Sequence, residues 1–189
     1  MSKIYLIRHG NTEANELHLY CGSTDLPLSE RGRDALQTLK PGYSGIQNVR
    51  FVTSGMLRTE QTLEILFGDV TRHCEPAFRE MDFGAFEMRS YEQLKDVPEY
   101  QQWITGDNEA NLTPGGESGI LMKARVLKAF GVLQGADTVL ITHGGVIAAI
   151  MEHLFPQEGK NRYEWQPKPG HGYMIDENGY AVLPVELTE

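Results

Sequence analysis

Two histidines, two arginines and a pair of carboxylates are the residues of this chain whose placement could do chemistry. Arg8 and His9 end the apolar run "KIYLI" and lead straight into Gly10, while His143 ends "TVLIT" ahead of Gly144 and Gly145. Arg58 falls in "VTSGMLRTEQT" (52–62), where a strand-like run passes through Ser54 and Gly55 into a helical one. Glu80 and Asp82 share the apolar, glycine-punctuated "FREMDFGAFE" (78–87). Taken singly, each piece has an ordinary explanation: a polar strand end, a surface arginine, a solvated loop carboxylate. Taken together, they are what cleavage of a phosphate ester requires.

Guanidinium forks match a phosphate dianion bidentately. A neutral imidazole can attack phosphorus near pH 7, splitting one hard step into two through a phosphoenzyme. A second imidazole, if protonated, stabilises charge on the transferring oxygens. The leaving alkoxide needs a proton from a carboxylic acid, and a neighbouring dianion raises such an acid's pKa by like-charge repulsion. These arguments leave open which histidine attacks. A helix N-terminus after Ser54 would add N–H groups, and a cation in its first turn stands against the helix dipole, which points to an anionic ligand. Such a set needs no metal and no cofactor. The chain carries no Walker motif, no H-E-x-x-H and no aspartate cluster at metal-ligand spacing.

The elements that must position these groups alternate along the chain. Strand-like runs cover 3–8, 49–54, 70–75 and 138–143, and a terminal pair at 172–176 and 180–185 flanks the hairpin turn "ENG". Helical segments start at Ser29 and run to Leu39, at Ser54 and run to Gly68, and at Ser118. In the last of these, Leu121, Val126, Leu127, Phe130 and Leu133 approximate a helical stripe. "GGVIAAIMEHLF" follows the fourth strand directly, and 90–96 and 98–105 look like short peripheral helices. This alternation predicts an α/β fold of three layers (α/β/α) around a mostly parallel sheet with an antiparallel edge. Ligands in such sheets bind beyond the carboxyl ends of the strands, where Arg8, His9 and His143 fall.

The bulk numbers set limits. A chain of 189 residues, 40% hydrophobic and 23% charged, suits a single domain over 1–189. A formal charge of −9 argues against a nucleic-acid or anionic-membrane partner, and obliges any anion site to be built from local positive charge. Two cysteines without C-x-x-C spacing fit a reducing compartment, and no signal-peptide core or membrane-spanning run is present, so the expected location is cytoplasmic. The expected assembly is a monomer or homodimer.

Six ordered motifs then resemble those of the histidine phosphatase superfamily, the phosphoglycerate-mutase-like group. They are "LIRHGNTEAN", "GSTDLPLSERG", "VTSGMLRTEQT", "FREMDFGAFE", "PGGES" and "ITHGGVI". The resemblance implies a phosphoglycerate-mutase-like fold and assigns the roles that chemistry left open. His9 would be the phosphorylated nucleophile and His143 the assisting imidazole, with Arg8 and Arg58 completing a phosphate pocket. Asn15 and the Gly144 amide would add hydrogen bonds, and Glu80 would be the proton donor with Asp82 as the runner-up. Departures lie outside that pocket: Ala35 and Leu36 after Gly32, Phe86 and Met88 in the acidic loop, and Ala148 after "HGGVI".

Within the superfamily the chain looks most like the alpha-ribazole-phosphate and broad-specificity phosphatases. Mutases of the group carry a basic insertion that closes over the substrate, whereas Lys95 is the sole lysine or arginine from 90 to 118. The expected activity is therefore hydrolysis of a small phosphorylated metabolite, such as alpha-ribazole phosphate or a sugar phosphate. Mutase-type transfer and non-catalytic phospho-ligand binding are the alternatives. Segment 85–112 is expected to form a small helical cap in which Tyr100 and Trp103 make either an apolar wall or satellite packing. His18, Tyr20 and Cys21 read as exposed loop filler, with lining of the pocket mouth as the alternative; His73, His153 and His171 read as surface or core-edge residues, and Trp165 as structural.

Overall fold

The sheet is built from runs of β-branched and aliphatic residues too short for helices, each ended by a polar residue or a glycine. In the computed structural model, which describes residues 2–107, 109–133 and 135–184, six strands form one sheet in the order β3-β2-β4-β1-β5-β6. They are β1 (Ile4–Arg8), β2 (Arg50–Thr53), β3 (Arg72–Cys74), β4 (Thr138–Thr142), β5 (Gly172–Asp176) and β6 (Gly179–Leu183). β3, β2, β4 and β1 run parallel; β5 and β6 pair antiparallel at the β1 edge. The expected second hairpin strand reached Val185, which lies outside the described residues.

Seven α-helices accompany the strands among the described residues: α1 (Glu13–Glu16), α2 (Glu30–Leu39), α3 (Leu57–Phe67), α4 (Tyr91–Leu94), α5 (Pro98–Ile104), α6 (Gly119–Phe130) and α7 (Gly144–Leu154). Alternation along β1 divides the core. Ile4 and Leu6 pack under α6 and α7, with Met122, Val126 and Ile147. Ile7 points the other way, against α2 and α3, with Leu36 and Leu63. The three expected layers are thus present. A third, smaller cluster of Phe86, Leu94 and Tyr100 lies apart from both sheet faces.

Two local expectations are corrected. The buried stripe of α6 is Gly119, Met122, Val126 and Ala129, while Leu121 is 52% exposed. Small residues carry little hydropathy, so Gly119 and Ala129 escape a stripe drawn through leucines. Ser54 does not cap α3: the cap position is Met56, with no side-chain cap bond. Ser29 and Ser118 do cap α2 and α6, accepting from Gly32 and Leu121 backbone amides at 3.0 and 3.2 Å. No helix among the described residues is long and apolar enough to cross a membrane.

Candidate active site

Parallel pairing of β1 with β4 sets Arg8 opposite Thr142, so the residues following each strand emerge at the same level. The His9 amide continues the ladder, donating to the Thr142 carbonyl at 2.9 Å. The two imidazoles consequently meet edge to face, with ring centroids 5.1 Å apart and planes at 65°. Both are buried. Nδ1 of His9 lies 2.7 Å from the Gly10 carbonyl. A carbonyl only accepts, so Nδ1 carries the proton and Nε2 retains its lone pair. From two residues ahead of the cap position, the Ser54 hydroxyl meets His143 Nε2 at 2.8 Å, lies 3.1 Å from the Thr59 hydroxyl and accepts from the Met56 amide at 3.4 Å. Nδ1 of His143 is buried without a hydrogen-bond partner among the described residues.

Burial pushes the pKa of His9 well below the ordinary histidine value, and the charges of Arg58 and Arg8 push in the same direction. His143 is lowered in the same way, by burial first and then by Arg58 and its other neighbours. Both rings are therefore neutral at neutral pH in the unliganded protein.

Arg58, only 1% exposed, donates to the carbonyls of Thr24 at 2.9 Å and Gly22 at 2.8 Å. Arg8 donates through Nη1 to the Pro167 carbonyl at 2.8 Å, and its buried Nε has no partner among the described residues. Burial lowers the pKa of both arginines, but from so high a starting point that both remain cations. A Cβ at Gly144 would lie 2.9 Å from Gln166 Oε1 and 3.1 Å from Arg8 Cζ, so only glycine lets the first turn of α7 come this close. In that turn the Gly144 amide has no intrahelical acceptor. Asn15 spends its side-chain oxygen on Thr12, accepting from the amide and hydroxyl at 3.0 Å each, which leaves its NH₂ as the group able to donate to a ligand.

Glu80 reaches the same helix end. Its Oε2 accepts from the Gly145 amide at 2.9 Å and its Oε1 from Met81 at 3.0 Å. Asp82 turns elsewhere, taking the Gly84 amide at 2.8 Å and the Ser23 hydroxyl at 2.9 Å. The structure thus brings together Arg8, His9, Arg58, Glu80, His143 and Gly144, and ties Asp82 into loop framework. No group of three or more His, Cys, Asp or Glu converges as metal ligands among the described residues.

Two contributors escaped sequence reasoning. Glu87 gathers the loop that holds Arg58: its carboxylate accepts from the amides of Gly22 (2.9 Å), Ser23 (3.0 Å) and Thr24 (3.2 Å) and from the Thr24 hydroxyl (2.7 Å). Its signal was the acidic-loop motif itself, which ends on this residue but gives it no partner. Tyr20, the second, escaped only in part: the favoured reading of it as exposed filler is corrected, and it lines the cleft as the alternative had it. It is half-buried, its ring 5.1 Å from Phe83 and 5.8 Å from Trp103, and its hydroxyl bonded to that of Tyr100 at 2.7 Å. Tyr20, Phe83, Tyr100 and Trp103 form one wall of a cleft of about 360 Å³ that Gln166, Arg162 and Tyr163 also line. Because Gln166 approaches Gly144, the cleft adjoins the histidine pair. His18, His73 and His153 are exposed, and Trp165 is a buried core residue under the Lys160 ammonium.

With this geometry in view, the comparisons with known proteins agree. The family model of the histidine phosphatase superfamily (branch 1) matches residues 4–181. The adenosylcobalamin/alpha-ribazole phosphatase of Salmonella typhimurium is 29% identical over 97% of this chain and 95% of its own. The probable phosphoglycerate mutase GpmB of Yersinia pestis is 28% identical over 95% of this chain and 93% of its own. A crystal structure of phosphoglycerate mutase from Thermus thermophilus superposes with a TM-score of 0.76 at 30% identity, covering 96% of each chain. A putative alpha-ribazole-5'-P phosphatase from Escherichia coli shares the fold at a TM-score of 0.83 and 23% identity, over 96% of this chain and 94% of that one.

Proposed function

We propose that this chain, which belongs to the histidine phosphatase superfamily (branch 1), is a metal-independent phosphatase that hydrolyses a small phosphate monoester through phosphorylated His9. The observation that carries this reading is the state of His9. A neutral ring with Nδ1 held by Gly10 presents the Nε2 lone pair next to two buried guanidiniums. In the first half-reaction Nε2 attacks phosphorus and the bond to the leaving oxygen breaks. Glu80 gives its proton to that oxygen, while Arg8, Arg58 and an N–H at His143 Nδ1 hold the charge on the equatorial oxygens. Asn15 and the Gly144 amide add donors. In the second, Glu80 takes a proton from water, the water oxygen bonds to phosphorus, the N–P bond breaks and its electrons return to Nε2.

Alpha-ribazole phosphate is the substrate we favour. The support is a 29% identical relative of that name and a cleft walled by Tyr20, Phe83, Tyr100 and Trp103, rings suited to a flat aromatic leaving group. Mutase-type transfer is disfavoured because Lys95 is spent on Glu92 at 2.6 Å, leaving 90–118 with no free cation among the described residues to retain a phosphorylated intermediate. The test is a panel of alpha-ribazole phosphate, sugar phosphates, phosphoglycerates and p-nitrophenyl phosphate, assayed with and without EDTA. Turnover is expected to survive chelation and to fall roughly 10³-fold or more in His9→Ala, as for removal of a nucleophile. Undiminished turnover in that variant, or transfer between phosphoglycerates outpacing their hydrolysis, would overturn the reading.

A further inference from the structure

The motif "PGGES" and the arginine two turns into α6 take no part in the chemistry above, yet both converge on the segment that delivers Glu80. Every N–H of the Arg125 guanidinium is used. Nη1 donates to the carbonyls of Ala77 and Arg79, each at 2.8 Å, and Nη2 donates to the Glu80 carbonyl at 3.0 Å. Nε and Nη2 form a fork onto the two oxygens of Glu117, both at 2.8 Å. Glu117 also donates its own amide to the Asp82 carbonyl at 2.9 Å. The backbone is therefore gripped on both sides of Glu80.

This grip replaces what secondary structure would otherwise supply. Between the short 3-10 turn at Pro76–Phe78 and the one at Gly84–Phe86 the chain has no ladder, so its carbonyls need other donors. Phe78 and Met81 anchor the segment on its core side, but its outer side is open. A cleft of about 410 Å³ runs along that side, lined by Ser23, Arg79, Asp82, Glu117 and Arg125. A Cβ at Gly116 would lie 2.5 Å from the Asp82 carbonyl, so Gly116 allows the turn to seat directly on the acidic loop, while Gly115 supplies the turn's positive φ of 73°.

We infer that Arg125 and Glu117 are positioning residues which aim Glu80 at the leaving-group oxygen, and that they affect the reaction through proton transfer rather than through phosphate binding. The inference rests on the phosphatase reading. Among the described residues neither hydrogen-bonds Arg8, His9, Arg58 or His143, and the Arg125 charge bears on His143 only as the weakest of the influences on that ring. Both fix the backbone from which Glu80 extends, and proton transfer is sensitive to displacements near 1 Å.

A leaving group that departs without a proton separates this role from a general structural one. The test compares kcat/KM, which ends at cleavage of the ester, for p-nitrophenyl phosphate and for the best alkyl phosphate of the panel. In Arg125→Met and Glu117→Gln the alkyl ester is expected to lose about tenfold or more and the nitrophenyl ester less than about threefold, the pattern of a weakened general acid. Glu80→Gln should show the same selectivity, and adding Arg125→Met to it should cost the alkyl ester little more, because the two act in one chain. Arg125→Lys, which keeps the charge without the fork, should fall between wild type and Arg125→Met. Parallel losses on both esters, no loss on either, or a double variant multiplying the two single losses would each overturn the inference. Should Arg125→Met fail to fold, the near-isosteric Glu117→Gln carries the same comparison. Wild type turning over neither ester would instead defeat the phosphatase reading itself.

Discussion

His9 and His143 are held neutral by the same features that make them useful, burial and two adjacent guanidiniums. That arrangement has a signature in stability. Both native pKa values lie well below the unfolded value of about 6.5, so between them the unfolded chain binds protons that the native state refuses. Stability is complete above pH ~6.5 and is lost as the pH falls, with a slope approaching about 2.7 kcal/mol per pH unit while both rings contribute. Denaturant titrations of wild type and of His9→Gln/His143→Gln between pH 7 and 5 measure this, and the wild-type curve is expected to be the steeper. Equal slopes would mean the imidazoles are not neutral inside the fold. The chemical residues were legible in sequence because each terminates or follows a recognisable strand. Ser54 was not, since a serine just ahead of a helical run reads as a cap. Besides Met56 and Thr59 nearby, its hydroxyl meets His143, 89 positions away, and nothing local announces that partner.

At the scale of elements, the first turn of α7 is where three of the site's features meet: His143 precedes it, Gly144 lets Arg8 approach, and Gly145 receives Glu80. A Cβ at Gly145 would fall 2.4 Å from Glu80 Oε1, the far end of a flexible side chain that can be displaced without moving the helix. Gly145→Ala should therefore separate stability from activity. Helix propensity favours alanine by about 1 kcal/mol, offsetting the lost bond between the Gly145 amide and the carboxylate. Thermal unfolding is expected within a few degrees of wild type. Hydrolysis of an alkyl phosphate should drop about tenfold or more as the acid is pushed off line. A variant with unchanged hydrolysis would show that Glu80 does not work from this position. Strand and helix types were readable from periodicity and turn residues, down to β3, whose three residues are all exposed at the sheet edge. The details that decide the site were not. Close approaches at Gly144 and Gly145 depend on Gln166, Arg8 and Glu80, residues from distant segments that a local pattern cannot encode.

At the scale of the molecule, the described residues form two large cores, one on each face of the sheet, and a small third one of Phe86, Leu94 and Tyr100 under the aromatic wall. Phe83 and Trp103 are shared between the third cluster and the first, so the sheet and the peripheral segment meet through few side chains. A unit with so little buried contact is expected to open before the sheet does. Leu94 is fully buried at the centre of this cluster, and its truncation to alanine should cost about 2–5 kcal/mol of the cluster's own stability. Amide hydrogen exchange would report the loss by region. In Leu94→Ala, α4 and α5 are expected to exchange faster while β1 and β4 stay at wild-type protection. The kcat/KM for alpha-ribazole phosphate should fall further than that for p-nitrophenyl phosphate, since the wall loosens but the phosphate pocket does not. Protection falling equally in β1 and β4 would show a single cooperative structure. In that event the peripheral segment could not vary its grip on the leaving group independently of the histidine pair.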